Sequence, residues 1–189
     1  EIGIPKGTEL VMGKLSGRHA FKVHLEEMGY HLSEAETERV FNNFKELADK
    51  KMQVDDRDIS ALVQAHLGEP EKEAWKVELV QVSAGDHAAP TATIRLIDSH
   101  GTLRTDAAVG TGPVDAIYQC INRITGLTPA LTEFSVKSVT EGIDAQGEVT
   151  IRIEESGRAF LGKASDTDII VSSARAYLNA LNRMIAARQ

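Results

Sequence analysis

Four residues, Gly110-Thr111-Gly112-Pro113, offer the clearest opening for chemistry in the sequence. A glycine-rich turn leading into a helix presents free backbone N–H groups and the positive end of the helix dipole, which suits a carboxylate or a phosphate. The same residues also suit a plain tight turn before a proline-started helix, and such turns are common. No Gly-Lys-Ser/Thr follows, so the turn is not a P-loop. A second opening is a pair of small-residue stretches, Gly85-Asp86-His87-Ala88-Ala89-Pro90 and Gly142-Ile143-Asp144-Ala145-Gln146-Gly147. Small residues let backbone approach a ligand, and Asp86 or Asp144 could pair with an ammonium. Ordinary strand connections would look the same. N–H donors for a carboxylate, an acid or carbonyls for an ammonium, and aliphatic walls together describe a site for an aliphatic amino acid.

The other reactive side chains are less organised. The histidines (His19, His24, His31, His66, His87 and His100) form no HxH or HExxH ligand motif. His19 and His24 are five apart, so on a helix they point to different faces, and all six read as scattered surface histidines. Cys120 lies one position from an apolar helical stripe with no base beside it, and reads as a small packed thiol. No Gly-x-Ser-x-Gly occurs. Nothing here runs a reaction alone.

These residues are positioned by a unit that the chain contains twice. Residues 77–97 and 134–154 align without a gap, with Val82 on Val139, Gly85 on Gly142, Ala88 on Ala145 and Thr93-Ile94-Arg95 on Thr150-Ile151-Arg152. Each copy runs on through a turn and a third segment into a helix that ends Ile121-Asn122-Arg123-Ile124 or Leu181-Asn182-Arg183-Met184. A duplication implies two units about a pseudo-twofold axis. In each, alternating apolar residues predict three strands. The first copy has strands from Trp75, over Ala92–Leu96 and over Leu103–Val109, a hairpin turn at Asp98–Gly101, and a helix from Pro113 that Gly126 and Pro129 end. The second has strands over 134–139, 149–153 and to about Lys163, a cap in Ser165-Asp166-Thr167-Asp168, and a helix longer by about one turn at its start. That cap would repel an incoming carboxylate, so the first helix start, with the loop around Ala145, is the better ligand site.

Before the repeats, residues 13–67 read as three amphipathic helices. Ser16 is the expected cap of the first and Gly29 its left-handed end; Ser33 and Glu36 form a capping box for the second, which runs to about Lys50; Asp55 and Asp58 repeat that logic for the third. Their core is expected to be small and poor in aromatics. The fold class is therefore α+β, a helical linker subdomain over 1–70 followed by a βββα-βββα domain over 71–189. At 189 residues, 42% hydrophobic and 26% charged, the chain is globular in composition. A net charge of −7 argues against nucleic acid, and no apolar run reaches membrane-spanning length. A single cysteine fits a reducing compartment. Glu1 in place of Met and the abrupt start fit either a piece cut from a longer chain or a processed one.

The stretches LVMGKLSGRHAF, PTATIRL, GTGPVDAIY, GIDAQGEVTIRI and SDTDIIVSSARAYLNALNRM together resemble the 2-isopropylmalate synthase family, specifically its C-terminal linker and leucine-sensing regulatory domain. The resemblance covers essentially the whole chain, and the last two stretches are specific to this family and to citramalate synthase. It implies a cytoplasmic homodimer whose regulatory domain binds leucine near the dimer interface. Feedback would then fall on the acetyl-CoA plus 2-oxoisovalerate condensation of an N-terminal TIM barrel, which holds a divalent metal and is not in this sequence. By the resemblance, the effector site comprises Gly110, Gly112, Val114, Ile117, Ile121, Leu131, Phe134, Ala145 and Gly147, with no metal or other cofactor in this portion and no catalytic residue of its own. His19 is the candidate for a polar contribution to the partner's barrel. The competing expectations are an isoleucine-sensing region of a citramalate synthase and a dimerisation-only module.

Overall fold

The computed structural model describes residues 17–50, 54–67, 73–138 and 145–188. The chain divides into two compact units, Glu1–Gly68 and Glu69–Gln189. The family resemblance aside, the α+β architecture expected from residue patterning is the one observed: three helices, then βββα twice.

The first unit holds helices α1 (Arg18–Glu27), α2 (Glu34–Lys50) and α3 (Asp56–His66). Ser16 lies outside the described residues; Gly17 is the N-cap of α1 and no side chain caps it. Gly29 takes the left-handed conformation, φ 87°, that ends the helix. The capping box forms as expected. Ser33 N–H donates to Glu36 Oε2 at 3.0 Å and Glu36 N–H to Ser33 Oγ at 3.2 Å. Asp55 and Asp58 make the same reciprocal pair, each N–H donating to the other carboxylate at 3.0 Å. The core is aromatic, contrary to expectation: the ring of Phe21 centres 4.8 Å from Phe44 and 5.4 Å from Phe41. Val40 of α2 and Ile59 and Val63 of α3 are buried as well. The three phenylalanines are spread over two helices in sequence, and only the packing gathers them.

The second unit holds β1 (Trp75–Gly85), β2 (Ala88–Asp98), β3 (Leu103–Val109), α4 (Pro113–Thr125), β4 (Ala130–Ser138), β5 (Gly147–Glu155), β6 (Arg158–Asp166) and α5 (Ile169–Ala186). Two antiparallel three-stranded sheets form, in the orders β1-β2-β3 and β4-β5-β6. Ile94 and Leu96 on β2 and Val149, Ile151 and Ile153 on β5 are fully buried, and they meet Ile117, Ile121, Tyr177, Leu181 and Met184 of the two helices in one core. The helices cross with the rings of Tyr118 and Tyr177 stacked at 4.1 Å.

The duplication is real, and its first strand is displaced from the ungapped alignment. Ile94 pairs with Val80, whereas Ile151, its match, pairs with Phe134. Val80 and Phe134 stand 54 apart, three fewer than Ile94 and Ile151. The true equivalents are therefore Val77 with Leu131, Val80 with Phe134 and Val82 with Val136. The bulges agree, since they fall between Val77 and Leu79 and between Leu131 and Glu133. β4 accordingly begins at Ala130, ahead of the expected Phe134. The longer second helix is as expected: α5 has 18 residues and α4 has 13.

Candidate functional site

The start of α4 is built on a close approach. A Cβ on Gly110 would lie 2.4 Å from the backbone nitrogen of Ala116 and 2.8 Å from Asp115 Oδ2, so glycine is needed there. Gly110 N–H donates to the Pro90 carbonyl at 2.9 Å. The N–H of Thr111, an expected ligand donor, is already taken by Asp115 Oδ2 at 2.8 Å. That carboxylate also accepts from Thr111 Oγ1 at 3.3 Å and Gln119 Nε2 at 2.9 Å. The Thr111 N–H, chiefly, holds the Asp115 carboxyl below its usual range. Gly112 is the N-cap of α4, extended at φ −155°, and no side chain caps the helix. Nothing lies within 4 Å of a Cβ placed there.

The start of α5 is closed. Its N-cap, Asp168, accepts from Ile170 N–H at 2.8 Å. Asp166 accepts from Asp168 N–H at 3.0 Å and from Arg175 at 2.8 Å, and the Asp168 N–H, chiefly, lowers its carboxyl pKa. The asymmetry between the two helix starts expected from Gly-Thr-Gly-Pro and Ser-Asp-Thr-Asp is therefore present.

Both starts open on one cleft of about 310 Å³, lined by Val80, Val82 and Ala84 of β1, Pro113 of α4, and Asp168, Ile170 and Val171 of α5. Residue patterning missed its β1 wall. The bulge at Glu78 shifts the alternation, so Val77 and Val80, three apart, face the same way. The apolar Val80–Val82 pair was the available signal.

The residues assigned to the site by resemblance do not all gather there. Gly110, Gly112 and the half-buried Val114 sit at the α4 start. Ile117 and Ile121 are fully buried in the core, behind the surface. Leu131 and Phe134 lie on β4, exposed at 44% and 42%, and β4 is not among the main neighbours of α4, which are β1, β2, β3 and α5. Gly147 packs against α5: a Cβ on it would meet Ile169 Cγ1 at 2.9 Å, and its carbonyl accepts from Ser172 Oγ at 3.2 Å. Ala145 is half-buried beside it in sequence. Asp86 and His87 form the two-residue tip of the β1–β2 hairpin, 94% and 92% exposed, so Asp86 closes no ammonium pocket. Asp144 lies outside the described residues.

Elsewhere, Cys120 is a buried free thiol 3.4 Å from the Ala92 carbonyl, and burial pushes its pKa up. His19 is exposed on α1. His24, by contrast, is no scattered surface residue: its Nε2 bonds Asp56 Oδ1 at 2.8 Å and ties α1 to the start of α3. Among the described residues, no three His, Cys, Asp or Glu side chains stand close enough together to hold a metal ion.

The fold and its cleft define a duplicated α+β domain carrying one aliphatic recess where two helices begin. Residues 53–185 match the family described as the LeuA allosteric (dimerisation) domain, and residues 1–52 match one described as homocitrate synthase post-HMGL domain-like. The chain belongs to the LeuA allosteric (dimerisation) domain family. It is 54% identical over 181 residues to the 2-isopropylmalate synthase of Crocosphaera subtropica, covering 96% of this chain and 34% of the relative. It is 57% identical over 175 residues to that of Gloeobacter violaceus, covering 93% and 32%, and 53% identical over 181 residues to that of Trichodesmium erythraeum, covering 96% and 33%. The chain thus spans about a third of the curated relatives it matches, in their C-terminal region. No helix among the described residues is long and apolar enough to cross a membrane.

Proposed function

We propose that this chain is the leucine-responsive regulatory region of a cytoplasmic, homodimeric 2-isopropylmalate synthase. Leucine bound here lowers the rate at which a catalytic barrel, with its divalent metal, condenses acetyl-CoA with 2-oxoisovalerate. The observation that carries the reading is the pairing, in one cleft, of an uncapped helix start with aliphatic walls. The leucine carboxylate sits at the Gly112 turn, where the first N–H groups of α4 and its dipole favour negative charge. The isobutyl group lies against Val80, Val82, Ala84, Ile170 and Val171, with Val114 beside the carboxylate. Gly110 keeps the turn tight, while Ile117 and Ile121 hold α4 in place from behind. Gly147, with Ala145 beside it, seats the start of α5. His19 remains the linker residue to test for a contribution to the partner's barrel.

Binding at the junction of both repeats lets a ligand bias how the two copies sit on each other, and the coupling is reciprocal: substrate must change leucine affinity by the same factor. Titration calorimetry with leucine, isoleucine, valine and lysine tests the reading. Leucine is expected to bind most tightly, isoleucine and valine more weakly by about 1–3 kcal/mol, and lysine not at all. Absence of heat with all three branched-chain amino acids would overturn it.

A further inference from the structure

A second cavity, of about 310 Å³, lies at the other end of β1 from the cleft. β1 and β6 are edge strands, one from each sheet, and α5 ties both. Arg175, Leu178, Asn179 and Asn182 recur at i, i+3, i+4 and i+7, on one face of that helix. Trp75 N–H of β1 donates to Asn182 Oδ1 at 3.0 Å, and Asn182 Nδ2 donates to the Trp75 carbonyl at 2.8 Å. Asn179 Nδ2 donates to the Lys163 carbonyl of β6 at 3.0 Å. The cavity lies between these ties. Trp75, Lys76 and Val77 line it from β1, Lys163 from β6, and Arg175 and Leu178 from α5.

Three cations from three elements therefore meet at one cavity. Each is anchored by a carboxylate: Lys76 by Glu73 at 2.8 Å, Lys163 by Glu148 at 2.9 Å and Arg175 by Asp166 at 2.8 Å. Of these acids only Glu73 belongs to the lining, which so carries three positive charges against one negative. Cations gathered in a recess attract an anion. Arg175 gives Nη1 to Asp166, which leaves its Nε and Nη2 edge. Two N–H donors on one edge of a guanidinium match a carboxylate bidentately. Glu73 opposes a second negative charge beside β1, so a monoanion fits better than a phosphate or a dicarboxylate. Trp75, Val77 and Leu178 supply an apolar side, and the volume is at the small end for ligand sites.

We propose that this cavity binds a small monocarboxylate with an apolar body. The carboxylate sits on the Nε and Nη2 edge of Arg175 with the Lys163 charge beside it, and the body lies against Trp75, Val77 and Leu178. The site is separate from the cleft at the α4 start and does not depend on leucine binding there. Its walls come from both repeats, so an occupant bridges β1 of one to β6 and α5 of the other.

Trp75 is the only tryptophan in the chain, and it lines this cavity and not the cleft. Its fluorescence therefore reports on occupancy here. The test is a fluorescence titration of the 189-residue chain with pentanoate, with circular dichroism to check that each variant is folded. A saturable change in the millimolar range is expected. Pentanol, which has the same body and no charge, and inorganic phosphate at equal ionic strength should give none. Arg175→Gln should weaken binding by on the order of tenfold. Arg175→Lys keeps the charge without the fork and should recover only part of that loss. Glu73→Gln should tighten binding, a direction that loss of structure cannot mimic. No saturable change with pentanoate overturns the proposal. So does an equal response to pentanol or phosphate, an unchanged affinity in folded Arg175→Gln, or weaker binding in Glu73→Gln.

Discussion

Asn122 and Asn182 hold the same place in the two copies and do different work. Asn182 grips the backbone of Trp75 and so ties α5 across to β1 of the other copy. Asn122 accepts instead from the hydroxyl of Tyr177 at 2.7 Å, a phenol that burial pushes up to about 12. The spacing between helix and sheet differs as well. Gly162 on β6, beside Ile151, lets α5 lie so close that a Cβ would fall 1.9 Å from the Ala176 carbonyl oxygen and 2.5 Å from Ala180 N. Its equivalent on β3, beside Ile94, is Asp106, which takes Arg123 Nε at 2.6 Å and Nη2 at 2.9 Å. One copy is therefore a tight helix-on-sheet scaffold with a sealed helix start. The other is looser, with an unsealed one. Duplication supplied two versions of one unit, and side-chain differences at a few equivalent positions set a sealed helix start against an open one.

The comparison can be broken most violently at Gly162. Gly162→Ala drives a methyl into helix backbone, which cannot step aside, and the expected loss is about 1–3 kcal/mol or more, read as a large fall in melting temperature. Asp106→Ala, at the matching place, should cost clearly less. Equal losses would mean the two helices are not packed differently. Next comes conversion of the open helix start into the sealed kind. Gly112→Asp fits without a clash and should leave stability equal or raised by a few tenths of a kcal/mol, while leucine affinity falls on the order of tenfold or more, a change of about 1.4 kcal/mol. The reverse change, Asp168→Ala, should cost about 1 kcal/mol of stability and, although Asp168 lines the same cleft, change leucine affinity by less than Gly112→Asp does. If Asp168→Ala instead abolishes binding with the fold intact, the division of duties is inverted.

The smallest effect is on pH. Arg123, chiefly, holds the Asp106 carboxyl below its usual range. A carboxyl lowered on folding stabilises above its unfolded pKa, about 3.9, and that stability is lost as pH falls through the folded value. Asp106→Asn should therefore lower stability slightly at neutral pH, by an amount that fades as pH falls, and so flatten the acid limb of the stability curve. Urea melts at pH 3 to 7, roughly the window the unfolded pKa sets, would reveal an unchanged limb if the pair were idle.

What was legible in the sequence was local. Both capping boxes, the hairpin turn before β3, the glycine ends of α1 and α4 and the extra turn of α5 are each set by residues within four or five of one another. The βββα order followed from apolar alternation. What was hidden depended on parity or distance. One bulge in each first strand put Val80 and Phe134 on the helix-facing side of their sheets, and the longer connection from β4 to β5, with Phe134 paired to Ile151 where Val80 pairs with Ile94, displaced the alignment by three. The cleft needs β1 from one copy and α5 from the other, and no short motif encodes that meeting. The link from His24 to Asp56 spans 32 residues. The Asp115 carboxylate already occupying the Thr111 N–H is the exception, a local contact that the first-turn acid after Pro113 could have announced. The family boundary between residues 52 and 53 also places α3 with the repeats, while the compact units divide after Gly68.

The central claim is that the open start of α4 takes the effector and the sealed start of α5 does not. Titration calorimetry of leucine into the wild type and into Gly112→Asp tests it most directly. The account predicts saturable heat for the wild type and on the order of tenfold or more weaker binding for the folded variant. Equal affinity in the two proteins would contradict it.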